Sequence, residues 1–442
     1  MTGLRRGLSA FRHRNYRLFF TGQAISLVGT WMQQVAQAWL VLTLTHDPLW
    51  LGVVVAAQFL PILIFGLFAG VLADTLPKRQ TLIWTQVAKM GLSTILAVLA
   101  ATGNASIPLL ILLALIIGAV NAVDMPVRQA FAVEMVGRED VGNAVALNSA
   151  MFNGARVVGP AVAGLTIGAV GVAAAFAIDA ASFLAVIIGL LAMHESELNS
   201  PRLKERPTSF GGVMDQLREG LHYVRVTPLA LIAVLVVGLV STVGMNFSVI
   251  MPPYAQDVLN SDAAGYGFLM AASGVGSLIG ALWLAFGGAP RVRRIAYGAI
   301  VLGVGEIALG LSQVFPVSLL LMVAVGFGGI TMAATSNTTL QLAVPDGLRG
   351  RVMSVYTTIF AGSTPIGGPL MGGIASLVGV AASLAIGGVV AAGVGVGALV
   401  WIRRRGLDLR PVAPSSASGV ERGGAVERPN MGPAIPDAVR PH

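Results

Sequence analysis

A helix of about twenty apolar residues spans the roughly 30 Å hydrocarbon layer of a bilayer. This sequence contains twelve such runs, at about 17–44, 49–75, 80–102, 107–127, 142–168, 171–193, 228–253, 263–287, 294–314, 316–344, 350–378 and 380–402. Short turn-formers part them, among them Thr45-His46-Asp47-Pro48, Gly103-Asn104-Ala105-Ser106 and Phe315-Pro316. Only 11% of the 442 residues are charged and 55% are hydrophobic, whereas a soluble domain carries about 25% charged residues to cover its surface. The mean hydropathy of +0.80 agrees. The expectation is an all-α polytopic membrane protein. Its 55 glycines suit packed membrane helices, where a missing side chain lets backbones approach.

Several function classes drop out. With no cysteine, disulfides, thiolate metal sites and cysteine nucleophiles are excluded. The five histidines (His13, His46, His194, His222, His442) are scattered and no pair has zinc-ligand spacing. No phosphate-binding Gly-x-x-x-x-Gly-Lys-[Ser/Thr] loop is present, so the chain does not power itself with ATP. We expect no metal, no cofactor and no enzymatic activity.

The net charge of +8 invites a nucleic-acid reading, but the positions of the basic residues argue otherwise. Of 28 Lys and Arg, 25 fall in the tails and loops that share a side with the N-terminus, and none in the six opposite loops. Basic residues mark the cytoplasmic side. We therefore expect both termini in the cytoplasm, an even number of spans, and a place in the inner (plasma) membrane facing anionic headgroups. The expected organisation is a cytoplasmic segment 1–16, a six-helix bundle 17–193, a cytoplasmic linker 194–227, a second six-helix bundle 228–402 and a disordered cytoplasmic tail 403–442. In the linker, Phe210, Val213, Leu217, Leu221 and Val224 recur at helical spacing opposite Asp215, Arg218 and Glu219. This is an amphipathic helix, either on the membrane face or a solvated connector.

Polar residues inside the runs are the candidates for function, because lipid penalises them. Gln23, Ser26, Thr30, Gln33 and Gln37 share one helix face by their 3- and 4-residue increments. Asn121, Asp124 and Arg128 follow the same spacing in the fourth run, Thr331, Thr335 and Thr338 in the tenth, and Asn246 lies in the seventh. Each faces either a cavity or a neighbouring helix. Asp124, Asp179 and Glu306 are the intramembrane carboxyls able to carry a proton; Lys89 and Arg156 are the intramembrane cations. Finally, Gly159-Pro160-Ala161-Val162-Ala163-Gly164 matches Gly368-Pro369-Leu370-Met371-Gly372-Gly373 at an offset of 209 residues. Parallel six-helix repeats belong to secondary transporters, with the substrate site between them.

Certain motifs carry a family resemblance. Gly70-Val71-Leu72-Ala73-Asp74-Thr75-Leu76-Pro77-Lys78-Arg79 is similar to the loop 2–3 signature of the major facilitator superfamily (MFS), departing from it at Thr75 and Pro77. Gly29-Thr30-Trp31-Met32-Gln33, Asp124-Met125-Pro126-Val127-Arg128-Gln129 and Val344-Pro345-Asp346-Gly347-Leu348-Arg349-Gly350-Arg351 resemble the drug:proton antiporter branch that includes enterobactin-exporter-like and macrolide-efflux proteins. The resemblance implies twelve helices in two pseudo-symmetric bundles. It also implies a gate motif (Gly70, Asp74, Lys78, Arg79, Arg128) and a central cavity lined by spans 1, 4, 7 and 10. Asp124 is then the best-placed proton carrier. Gly159, Pro160, Gly164, Gly368, Pro369 and Gly373 resemble the exporters' packing motif, with Ala163 in place of one glycine. The function so implied is proton-coupled efflux of a small amphiphilic molecule (drug, antibiotic or siderophore) by a monomer using alternating access. The alternatives are a metabolite facilitator or importer, and a non-transporting receptor or assembly factor.

Overall fold

The computed structural model describes residues 8–198, 210–287 and 291–407; the side chains of 66–75, 138, 210–213 and 216 also lie outside the described residues. Thirteen α-helices and no strand form among them. They are α1 (Arg14–Thr45), α2 (Pro48–Thr75), α3 (Lys78–Thr102), α4 (Ile107–Val170), α5 (Val172–Leu191), α6 (Phe210–Val226), α7 (Pro228–Gly244), α8 (Phe247–Pro253), α9 (Ala263–Phe286), α10 (Arg293–Leu311), α11 (Phe315–Ala343), α12 (Asp346–Val378) and α13 (Val380–Arg404). The turn-formers end helices as their chemistry demands. His46 and Gly103 take left-handed conformations (φ 51° and 69°) after α1 and α3. Asp262 caps α9 by accepting from the amides of Ala264 (3.0 Å) and Gly265 (3.1 Å).

Nine segments among the described residues are long and apolar enough to cross a membrane. The other three expected spans are α1, the second arm of α4 and α12. These helices are as long as the rest but carry more polar and small residues, such as the four glutamines of α1.

Two elements differ from the sequence expectation. The anticipated loop between runs four and five is helical, and α4 breaks only at Gly137 (φ 69°, ψ 178°). A single glycine outside helical space turns the chain there, because it has no Cβ to forbid that conformation. The seventh run is interrupted at Met245 and Asn246, and after Pro252-Pro253 it ends in a π turn, Tyr254–Val258. Two prolines supply no amide hydrogens to the preceding turn, so the hydrogen-bond ladder shifts register.

The linker helix α6 turns Leu217, Leu221 and Val224 toward protein, while Met214 and Val226 stay exposed. Val224 is buried, and Leu217 and Leu221 pack on the core shared with the C-terminal helices. At Gly220 a Cβ would stand 2.6 Å from the Arg351 carbonyl of α12, and Glu219 pairs with Arg351. Phe210 and Val213 fall outside the described side chains.

Helices α1–α5 pack on one another, as do α7–α13. The two sets meet chiefly where α2 crosses α12 and α4 crosses α9. The crossings lie toward one end of the molecule, where His46, Asp47, Val258 and Gly379 line a common depression. At the opposite end the N-terminal helices form a separate core around Tyr16, Phe19, Leu82 and Phe131. That end is tied by Ser9 to Asp140 (2.7 Å) and Asn15 to the His194 carbonyl (2.9 Å).

Candidate functional site: a cavity between two helix sets

Glycine decides how closely the two sets approach. A Cβ at Gly164 would stand 2.7 Å from the Ala263 carbonyl, and one at Gly267 would stand 2.9 Å from the Gly164 Cα. On the pseudo-equivalent crossing, a Cβ at Gly52 would lie 2.7 Å from the Pro369 nitrogen, and one at Gly372 2.5 Å from the Pro48 carbonyl. Gly368 stands against Gly52 and Gly373 against Leu49, while Gly159 makes room for Trp31 of α1. The repeated Gly-Pro element therefore sits at both seams between the sets. Contact continues along α2 and α12 to Leu63 and Gly362, and along α4 and α9 to Arg156 and Gly274.

Beside these seams lies a cavity of about 420 Å³ walled by both sets. From α1 it takes Trp31, Gln34, Gln37, Ala38 and Val41; from α2, Gln58 and Phe59; from α4, Phe152 and Arg156; and from the α7–α8 break, Met245 to Val249. Met270 and Ser277 of α9, Gly329, Ile330 and Ala333 of α11, and Phe360 and Thr364 of α12 complete most of it. The walls are mostly apolar with a few amides, as small-molecule sites generally are.

The polar residues singled out from the sequence divide. Gln37 and Asn246 line the cavity. Gln23, Ser26 and Gln33 are buried outside the cavity wall, and Ser26 and Gln33 follow the side of α1 where Gly22 and Gly29 admit Ala185 and Ser182 of α5. Thr30 donates to the Ser26 carbonyl (3.0 Å), and the Gln33 amide to the Gln37 Oε1 (2.5 Å). Thr331 and Thr335 are buried and Asn121 partly so, none of them among the cavity residues. Sequence reading passed over Trp31, Gln34 and Gln58. The first two lie on a second face of α1, at 31, 34, 38 and 41, one residue round from the Gln23–Gln37 stripe.

The three carboxyls have unequal surroundings. Asp124 has no exposure. It accepts from Thr85 Oγ1 (2.7 Å), Gln86 Nε2 (2.8 Å) and Lys89 Nζ (2.9 Å), and pairs with Arg128. Asp179 accepts from Ser93 Oγ at 2.6 Å, while its Oδ1 is without a partner. Glu306, 2% exposed, has an Oε2 with no partner. It faces Gly244 and Gly387 across a void of about 10 Å³, the size of one water. Asn246 and Phe247 line both this void and the large cavity.

The gate-motif cations are engaged within the N-terminal set. Lys78 pairs with Glu134 at 2.6 Å; Arg79 pairs with Glu195 and donates to the Leu190 carbonyl (2.8 Å) and the Leu191 carbonyl (3.1 Å) at the end of α5. Cations suit the carbonyls at a helix C-terminus. Gly70 and Asp74 lie in 66–75, outside the described side chains.

Known proteins share this design. Residues 5–418 match the family model described as transmembrane secretion effector, an MFS family. The staphyloferrin A transporter of Staphylococcus aureus is 25% identical over 383 residues, 84% of this chain and 92% of that protein. The multidrug efflux pump Tap of Mycolicibacterium fortuitum is 28% identical over 385 residues, 85% of this chain and 92% of that protein. For the enterobactin exporter EntS of Shigella boydii the figures are 26% over 381 residues, 85% and 89%. Among solved structures, a POT family transporter superposes with a TM-score of 0.71 at 12% identity, covering 88% of this chain and 96% of its own. The nucleoside transporter NupG gives 0.67 at 12%, covering 88% and 98%. These two likenesses speak to the fold alone. With a family model spanning nearly the whole chain, two helix sets meeting at glycine seams and a cavity between them, this protein belongs to the transmembrane secretion effector family of MFS transporters and is a multi-pass membrane transporter, not an enzyme.

Proposed function

We propose that this chain exports a small amphiphilic molecule from the cytoplasm, across the inner membrane, in exchange for protons. The observation that carries the reading is the cavity itself. It is walled by both helix sets, flanked by glycine seams toward the His46 end, and faces an N-terminal set that packs on itself at the His13 end. In this reading twelve crossings form two bundles, 17–193 and 228–402, with linker 194–227 between them, and the His13 end is cytoplasmic, a reading supported by the Lys and Arg residues that collect on that side. This conformation is then the one that loads from the cytoplasm. Rocking about the seams would present the cavity to the other face. Both walls come from one chain, so a monomer suffices. The relatives named as efflux pump and siderophore exporter support the outward direction.

For the proton, the surroundings favour Glu306. Asp124 is held by two cations and two neutral donors, which stabilise its charged form in place. Glu306 has a free oxygen, no cation partner among the described residues, and a water-sized void that shares Asn246 with the cavity. A carboxyl so placed can change protonation as the cavity wets and dries. The test is flux in proteoliposomes across a panel of drugs and siderophores under an imposed proton gradient. Glu306→Gln is expected to abolish uphill transport and to retain substrate exchange. Undiminished pH-driven flux in Asp124→Asn, Asp179→Asn and Glu306→Gln alike would end the proton-carrier reading.

A further inference from the structure

We infer that Arg156 is the headgroup-reading residue of the cavity and that the compound it takes is an amphiphilic carboxylate. The inference deepens the export reading and rests on it for the site's role. Of the 26 residues lining the cavity, Arg156 is the one that carries charge, and no described acidic side chain pairs with it. The contrast with Lys89 is direct, since the fold neutralises that cation with Asp124 at 2.9 Å. A partly buried cation within the membrane layer and without a charged partner is costly, so an anion supplied from outside is the natural complement. The arginine is also positioned rather than loose. Its backbone carbonyl lies at the seam, 2.9 Å from where a Cβ on Gly274 would be. Its guanidinium stands 5.9 Å from the centroid of the Trp31 ring, which in turn meets Phe152 edge-on at 5.7 Å. The aromatic face steadies the cation and offers an apolar body somewhere to stack.

A guanidinium presents paired N–H donors at the spacing of a carboxylate's two oxygens, and so prefers that group to a neutral oxygen. An ammonium-bearing compound would meet like charge with no compensating acid in the walls, which is how a site rejects a competitor. Gln34, Gln37 and Gln58 bring amides that can take hydrogen bonds from, or give them to, the rest of a polar head. The remaining walls are apolar. Together these features select one negative headgroup on an aromatic or aliphatic body.

The test uses the full chain in phosphatidylcholine nanodiscs and three probes with one body: pyrenebutyrate, pyrenebutanol and pyrenebutylamine. Binding is read by energy transfer from tryptophan to pyrene, with empty discs subtracted. The carboxylate should bind roughly tenfold or more tightly than the alcohol, and the amine should show no saturable signal. Arg156→Gln should bring the carboxylate down to the level of the alcohol, and Arg156→Lys should keep part of the preference. Equal affinity for all three probes, preference for the amine, or no saturable binding by the unaltered chain would each overturn the inference. So would a carboxylate preference that survives Arg156→Gln. The headgroup order is read on the unaltered protein, so a variant that fails to fold does not shelter the idea. Binding is scored apart from flux: carboxylate binding without transport of any compound refutes export alone, and transport without headgroup discrimination refutes this inference alone.

Discussion

Asp124 shows how much a single buried carboxylate holds in place. Lys89, Arg128, Thr85 and Gln86 all converge on it from α3 and the first arm of α4. Removing it leaves two cations without a counter-charge in a dry setting, which costs about 3–5 kcal/mol for a buried pair. Asp124→Asn should therefore lower the thermal midpoint of the detergent-purified protein sharply. The double variant Asp124→Asn with Lys89→Met should recover part of that loss, because fewer orphan charges remain. At the His13 end, Asp140 is the anchor of the N-terminal segment. Hydrogen bonds from Ser9 and His13, with Arg12 nearby, hold its carboxyl below the ordinary value. A depressed carboxyl contributes stability above its unfolded pKa of about 4, and that contribution is lost as pH falls through the lower folded value. The N-terminal segment should accordingly resist limited proteolysis at neutral pH and become cleavable on acidification. Asp140→Asn should make it cleavable at every pH. The sequence already offered Asp124 and Arg128 as an i,i+4 pair. It did not show Lys89 as the third member, because that contact joins two helices and depends on their rotation about their axes.

At the scale of the element, glycine sets which helices can touch. Gly52, Gly164, Gly267 and Gly372 stand where any side chain would strike the backbone of the opposing helix. Gly267→Val should cost about 1–3 kcal/mol in this conformation and shift the population toward the alternative one. The chain has no cysteine, so a single one introduced at Ser248 reports the shift. It should react faster with an impermeant maleimide added outside when Gly267 is Val, and slower from inside. The Gly-Pro repeat is legible in the sequence as a match between the two halves, and its place at the seams between the sets comes from the structure. The linker helix was less legible. From the sequence its apolar stripe fits a lipid surface and a solvated connector alike, whereas α12 lies beside it, with Arg351 opposite Glu219, and Leu217, Leu221 and Val224 pack on protein.

For the whole molecule, the proposed orientation rests on the distribution of basic residues, and it is directly testable. Cysteines at Asp47, Asn104 and Asp262 should be labelled by impermeant reagent from outside intact cells, and one at Arg349 only after permeabilisation. Reaction at the first three positions from the cytosolic side alone would invert the proposed threading.

The local sequence determined that the chain is a bundle of membrane helices, roughly where each begins and ends, and that its two parts echo one another. Hydropathy, turn chemistry and charge placement act over a few residues and need no partner to be read. Only the tertiary structure decided which side of α1 meets the cavity, why Asp124 is saturated while Glu306 is not, and that Arg156 stands in the wall with no acid beside it among the described residues. Those outcomes depend on how each helix is rotated against its neighbours, and that rotation is set by close packing between residues far apart in the chain.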